Sequence, residues 1–485
     1  MMKVWILLIP VFLPILLGMV SYFIPFGNHR QRNTYVMLTL LASAAALWVA
    51  VLTVPEDTLT LLPFTDQLSL SLRLDGAGRL FACLSATLWP LTALYAFDYM
   101  KHEEHLPMFY CFFTCSFGVT MGIAMAENIL TMYLFYEMLT LFTVPLVMHG
   151  MGKVHNRAAR KYMAYSFGGA AFAFAAVVFL ILNGADTFAL GGHTLNVTDP
   201  RLAEILYLFA FFGFGVKAAV FPLHGWLPSA SVAPTPVTAL LHAVAVVKAG
   251  AFALIRLTYY AFGTDFLSGR WVQYVAMGFA IFTLLFGSVN ALRQKHFKRR
   301  LAYSTVSNLS YIVFAVTLMT PAGLLAAFVH LFFHSVIKIG AFFAAGAVLH
   351  YSDREYVPQL EGLGQKMPVT FGCFTVFALA LTGIPPLCGF FSKWTIATAA
   401  LDQHSVLAVI GVAALLLSAF LTACYMFTPV IKAFFPRTHA DEDVHDVKEA
   451  DPRMLAAMLV CAVLCVLMGV FVQWPVTWIG EVLGL

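Results

Sequence analysis

Residues 215–250 read GVKAAVFPLHGWLPSASVAPTPVTALLHAVAVVKAG. Lys217 and Lys248 stand in an almost wholly apolar setting, with Pro222, Pro228, Pro234 and Pro236 between them. Three more charges sit in similar surroundings. Glu137 lies near the middle of NILTMYLFYEMLTLFTVPLVM, Lys338 in LAAFVHLFFHSVIKIGAFFAAGAV, and Lys393 in LTGIPPLCGFFSKWTIATAA. A charge at the centre of a bilayer costs roughly 2.5–3.5 kcal/mol on insertion-based scales. Together the five oppose insertion by about 10–15 kcal/mol unless they pair, neutralise or reach water. An anchor has no need of them, so the pattern implies a membrane protein that handles ions.

Composition agrees. Of the 485 residues 61% are apolar, 15% aromatic and 11% charged, with mean hydropathy +0.85. Soluble domains carry about 25% charged residues. Apolar runs recur along the whole length and predict an all-α polytopic bundle of about 14 transmembrane helices. The first run, Val4 to Ile24, is too long for a signal peptide and lacks a small-x-small cleavage site, so it reads as the first span. The eight cysteines nearly all fall in apolar segments without a CxxC spacing and read as small buried hydrophobes. The net charge of +4 is small and the basic residues fall in short loops, which gives no support to nucleic-acid binding.

The basic residues set an orientation. With 14 spans and the N-terminus outside, 18 of the 28 Lys and Arg residues fall in cytoplasmic loops and five on the opposite side. That bias places both termini outside, in the cytoplasmic membrane of a prokaryote. The remaining five, Lys217, Lys248, Arg256, Lys338 and Lys393, lie within spans; Arg256 is nearer a helix end and is expected to snorkel outward. The segment from Glu56 to Asp75 alternates apolar and polar residues and predicts a short outer hairpin, and residues 439–453 a polar cytoplasmic linker.

Pro222-Leu223-His224-Gly225-Trp226 returns 164 residues later as Pro386-Leu387-Cys388-Gly389-Phe390. Both copies sit beside further prolines, Pro228, Pro234 and Pro236 in one and Pro385 in the other. Proline removes a backbone donor and clashes with the preceding turn, so these six prolines predict interrupted helices. Interrupted helices at matching places in two repeats are a sequence pointer to a transport site. Lys217 precedes the first break and Lys393 follows the second.

Glu137 is the only acid deep in any predicted span, and it stands either as a helix-pinning ion pair or as a proton carrier. A buried lysine loses its proton more readily, and a nearby carboxylate restores the charged form. Glu137 with Lys217 is therefore the expected proton-loading pair, continued by Lys248 and Lys393. His330, His334 and Lys338 follow at i, i+4 and i+8 and share one helix face. Histidine suits a relay, although hydrogen bonding between helices is an equal use for His330 and for His242. No P-loop, metal-ligand cluster or dinucleotide fingerprint in a βαβ setting occurs, so no cofactor, metal or redox centre is predicted.

These residues resemble the antiporter-like subunits shared by respiratory complex I, energy-converting membrane hydrogenases and Mrp-type cation/proton antiporters. YEMLTLFTVPLV carries the fifth-helix glutamate as Glu137, and the opening stretch carries the seventh- and eighth-helix lysines as Lys217 and Lys248. HLFFHSVIKIGAFFAAGAVLH matches the eleventh helix with His334 and Lys338. GIPPLCGFFSKW matches the broken twelfth helix, with Lys393 where members carry lysine or glutamate. The resemblance implies 14 helices with two inverted five-helix repeats, broken helices 7 and 12, and a central polar axis. The expected divisions are 1–106 (three helices with the outer hairpin), 107–265 and 266–436 (the two repeats), and 437–485 (linker and final helix). The largest complex I member continues into a lateral helix, whereas this sequence ends at Leu485, which favours the shorter members.

The expected function is that of a proton-translocating, non-catalytic subunit driven by a redox module elsewhere in a complex. The alternative is a subunit of an Mrp-type Na+/H+ antiporter, which adds Na+ to H+ as a transported ion. Partners would be other membrane subunits and the lipid bilayer. A membrane electron carrier with b-type haem on His242, His330 or His334 and a purely structural scaffold are the other classes.

Overall fold

Short polar side chains fix where several helices begin. Asn28, Asp75, Asn128 and Thr320 each accept a hydrogen bond from the backbone N–H three residues on, at 2.8–3.0 Å, and Asp199 does so from the N–H of Arg201. The computed structural model describes residues 4–65, 68–185, 187–193, 199–436 and 446–485. Residues 439–445 of the linker expected at 439–453 fall outside the described residues.

A pair of helices, α1 (Leu8–Phe23) and α2 (His29–Thr53), leads into an antiparallel hairpin of β1 (Leu59–Thr65) and β2 (Leu68–Leu72), as the alternation at 56–75 predicts. Then come α3 (Gly76–Tyr99), α4 (Leu106–Ala124), α5 (Ile129–Val147) and α6 (Lys153–Leu182). The seventh apolar run is cut into α7 (Pro200–Gly215), irregular backbone, and α8 (Trp226–Ala230). The eighth is cut as well, into α9 (Thr235–Ala243) and α10 (Val246–Ile255), followed by a π-helical turn over Arg256–Phe262 and the one-turn α11 (Thr264–Leu267). Next are α12 (Trp271–Arg293), α13 (Phe297–Thr317) and the 32-residue α14 (Pro321–Ser352). The short α15 (Leu363–Lys366) precedes the broken pair α16 (Pro368–Thr382) and α17 (Cys388–Leu401). The chain closes with α18 (Val406–Phe434), α19 (Pro452–Val470) and α20 (Gln473–Leu483).

Among the described residues 11 helical stretches are long and apolar enough to cross a membrane. The others fall short for visible reasons: α7 has 16 residues, α16 and α17 have 15 and 14, and α13 opens on Lys298, Arg299 and Arg300 and is rich in hydroxyls. α14 runs through the middle of the bundle, packed against α9, α13, α16, α17 and α19. All eight cysteines are free, and all but Cys424 are buried.

Several expectations change. Pro234 caps the start of α9 and Pro236 lies in its first turn, where a missing N–H costs nothing, so both begin a helix rather than break one. Pro228 lies inside α8. The eighth helix breaks instead at Val244–Ala245, where no proline stands. Arg256 does not snorkel. It is buried, and its two terminal nitrogens meet the two carboxylate oxygens of Asp75 at 2.5 Å each. Glu204, near the start of α7, is a further buried acid; it pairs with partly exposed Arg270 at 2.5 Å and lies at the helix end rather than deep in the span. Lys298 and Arg300, expected at a loop surface, are buried at the start of α13, where Lys298 donates to the carbonyl of Ala233 at 2.9 Å.

The Asp75–Arg256 pair locks the start of α3 to the π turn after α10. Removing one partner of a buried pair typically costs about 3–5 kcal/mol, because the other charge is left uncompensated. Asp75→Asn should therefore lower the melting temperature of the detergent-purified protein strongly, while Asp75→Asn with Arg256→Met should recover most of the loss. A single variant as stable as the parent would contradict this role.

Candidate functional site

α5 presents Glu137 toward the break after α7. The Oε1 atom of Glu137 lies 3.8 Å from Nζ of Lys217, an ion pair longer than a hydrogen bond. Lys217 is 1% exposed and Glu137 18%, yet both carboxylate oxygens of Glu137 are buried, so acid and amine are alike shielded from the surface. The ammonium donates to the carbonyl of Tyr136 and sits 3.4 Å from the centre of that ring. Neither carboxylate oxygen of Glu137 has a hydrogen-bond partner among the described residues.

The irregular backbone beside Lys217 is held by dedicated partners. Trp226 Nε1 donates to the carbonyl of Val216 at 2.8 Å, Phe221 N–H donates to Thr283 Oγ1 at 3.0 Å, and the Tyr136 hydroxyl donates to the carbonyl of Phe214 at 2.8 Å. Unpaired backbone is not tolerated at membrane depth, so these contacts are what allow the break. Ala219 stands in the left-handed region at φ 56°, a strained conformation for a residue with a Cβ. α10 presses on this segment through Gly250: a Cβ there would come within 2.3 Å of the backbone N of Ala218.

Lys248 faces α14. Its Nζ and the Nδ1 of His334 are 2.6 Å apart, and the His334 and His330 rings stack at 5.6 Å. His330 Nδ1 meets the hydroxyl of Ser392 on α17 at 2.9 Å. Tyr311 on α13 bridges this group to the next lysine, with its ring 5.3 Å from that of His330 and 5.3 Å from Nζ of Lys393. Lys393 donates to the carbonyls of Leu381 and Thr382, at 2.7 and 2.9 Å, and so caps the end of α16. The Tyr311 hydroxyl donates to Ser418 at 2.7 Å, which joins Ser288 and Ser307 at 2.5 and 3.0 Å.

Lys338 points another way and donates to the hydroxyl of Ser304 on α13. The His242 ring stacks on Phe342 at 4.7 Å, and neither of its nitrogens has a partner among the described residues. The same holds for Nε2 of His330 and of His334. The structure thus joins Glu137 with Lys217, and Lys248 with His334, His330 and, through Tyr311, Lys393. It sets His242 and Lys338 beside that line. Pro222 lies in the first break and Pro385 and Pro386 in the second, where Gly383 ends α16 at φ 93°.

Tyr136, Tyr311, Ser304 and Ser392 carry contacts that sequence reasoning missed. A signal existed on α13, where Arg300, Ser304, Ser307 and Tyr311 recur at helical spacing on one face.

Over residues 126–421 the chain matches the family described as NADH:quinone oxidoreductase/Mrp antiporter, transmembrane. It is 32% identical over 395 residues to a protein of Desulforudis audaxviator named NADH-quinone oxidoreductase subunit N, with 76% of this chain and 77% of that one covered. It is also 32% identical to a probable K(+)/H(+) antiporter subunit of Rhizobium meliloti and to a Na(+)/H(+) antiporter subunit of Alkalihalophilus pseudofirmus. These matches cover 86% and 82% of this chain but 41% and 52% of those proteins, so the chain spans about half the length of such relatives. Its fold superimposes with TM-score 0.85 on a chain of the Mrp complex from Dietzia sp. DQ12-45-1b, at 21% identity, covering 99% of this chain and 97% of that one. The same score is reached at 22% identity, with the same coverage, on a chain of an archaeal membrane-bound sulfane sulfur reductase.

The close approach at Gly250 can be tested with one methyl group. Gly250→Ala should destabilise the protein by about 1–3 kcal/mol, as overpacking does. Gly278→Ala, the same change where nothing lies within 4 Å, should be neutral or slightly stabilising. Thermal unfolding of both variants in one detergent checks the contrast, and equal melting temperatures would refute it.

Proposed function

This chain belongs to the NADH:quinone oxidoreductase/Mrp antiporter family, and from that premise we propose that it is a proton-translocating subunit of a multisubunit membrane complex. The observation that carries the reading is the Glu137–Lys217 pair, close enough to interact yet without a hydrogen bond to fix it. An ion pair about 4 Å apart gains about 4 kcal/mol at an effective dielectric constant of about 20, and doubling the separation halves that. A small movement of α5 against the first break therefore changes how tightly Lys217 holds its proton. From Lys217 the proton passes to Lys248, then to His334 and His330, and leaves by way of Lys393. His242 and Lys338 serve as side stations, with free imidazole nitrogens along the line as acceptors.

We further infer the finer arrangement from the sequence: 14 spans, inverted repeats at 107–265 and 266–436 flanked by 1–106 and 437–485, and both termini outside the cytoplasmic membrane. Loop charge supports the orientation, and the matching breaks at Pro222 and Pro386 support the repeat.

Two driving forces fit. The relative named as a quinone oxidoreductase subunit favours coupling to a redox module, with H+ as the ion. The relatives named as K(+)/H(+) and Na(+)/H(+) antiporter subunits favour exchange against an alkali cation. Lys217→Ala should abolish H+ movement by the intact complex in sealed vesicles while its band on a native gel persists. Normal transport in that variant would sink the relay. In the parent complex, H+ movement that needs Na+ or K+ but no electron donor would favour exchange, and the reverse dependence would favour redox coupling.

A further inference from the structure

At one end of α6 a surface cavity of about 1110 Å3 opens beside the first helix break. Lys153, Arg157, Arg160, Lys161 and Arg299 line it together with His224, and no aspartate or glutamate among the described residues does. None of the five cations lies in an ion pair among the described residues; Lys161 donates to Ser229 at 3.1 Å and Arg160 to the carbonyl of Asn156 at 3.4 Å. Like charges spread over a solvated loop avoid one another. Here they converge from the starts of α6 and α13, neither of which has a side-chain cap, and the positive end of a helix dipole also favours an anion. A second cavity, of about 800 Å3, differs: there Arg30, Lys101 and Arg453 share the lining with Asp98 and Asp451, and Arg453 pairs with Asp98 at 3.1 Å.

We propose that this cavity binds the headgroup of an anionic phospholipid. The volume exceeds what a small inorganic ion fills and suits a ligand of the size of a lipid headgroup with its glycerol. The site lies where spanning helices end, which is headgroup depth. Its walls are mixed: exposed Val154 lines it, its His224 packs on Phe286 of α12 at 4.7 Å, and α12 carries the exposed apolar residues Phe282, Val289 and Leu292. A phosphate in the basic end with acyl chains on that face satisfies both halves, which a free anion or an acidic peptide does not. Pro222, His224 and Gly225 form part of the lining, so the bound headgroup would brace the break next to Lys217.

Purified full-length protein, in the complex with which it copurifies, is titrated with short-chain phosphatidylglycerol, and binding is read by native mass spectrometry. Phosphatidylcholine and inorganic phosphate are the comparison ligands. Phosphatidylglycerol should bind well above phosphatidylcholine and resist displacement by inorganic phosphate at matched concentration. Each surface cation removed should weaken binding about fivefold, so Arg157→Gln with Arg160→Gln should weaken it about 25-fold. Arg30→Gln with Lys101→Gln, in the second cavity, should leave it unchanged. If the double variant does not assemble, Arg157→Gln alone should show the fivefold loss. Equal binding of the two lipids, or unaltered binding in the Arg157 variants, would overturn the proposal. Displacement by inorganic phosphate would make the cavity a simple anion site. Binding that appears only after a copurifying protein is stripped away would assign it to an acidic protein segment. Either result would also overturn it.

Discussion

An ammonium group in a low-dielectric interior has to find compensation, and four lysines place that demand in the middle of this bundle. Among the described residues only one of them meets a carboxylate. Lys217 has Glu137, whereas Lys248 meets an imidazole, Lys338 a hydroxyl, and Lys393 two backbone carbonyls. Neutral acceptors stabilise an ammonium less than a carboxylate does, and they also serve its unprotonated form. In the proposed relay, proton occupancy along the line is thus finely balanced, a property that a structural salt bridge such as Asp75–Arg256 lacks. That pair is short, bidentate and buried, and its geometry suits holding rather than exchanging.

The breaks follow from the same demand. Ending a helix inside a membrane orphans carbonyls, and an orphaned carbonyl is what an otherwise unpaired lysine can use. Lys393 takes the last carbonyls of α16 in this way. At the first break the arrangement is mirrored in outline, with Trp226, Tyr136 and Thr283 supporting the irregular backbone and Lys217 turned to the carbonyl of Tyr136. At the second break, support for the backbone and the proposed path share Lys393; at the first, Tyr136 both supports the break and accepts from Lys217. α14 joins the two regions, because the stripe of His330 and His334 spans from Lys248 to Ser392 on α17.

Much of this was legible in the sequence because a charge in an apolar run is conspicuous. Glu137, the four lysines and the i, i+4 histidines were all visible, as were the breaks at Pro222 and at Pro385–Pro386. What stayed hidden was neutral. Ser392 looks ordinary in a spanning helix; Ser304 and Tyr311 share a polar face of α13, but the partners of all three lie 19 to 107 residues away, where no local pattern identifies them. The break at Val244–Ala245 carries no proline and arises where α9 packs against α14. Arg256 was misjudged because its position near a helix end suggested an escape to water, whereas Asp75, 181 residues earlier, waits beside it.

The central claim is that Glu137 exchanges a proton with the buried lysines rather than pinning helices. The most direct measurement is H+ transport by the intact complex in sealed vesicles with Glu137→Gln, with assembly checked on a native gel. The amide keeps the shape and removes the charge, so transport should be lost while the assembled complex remains. Undiminished transport in an assembled complex would contradict the account and place the ions on another route.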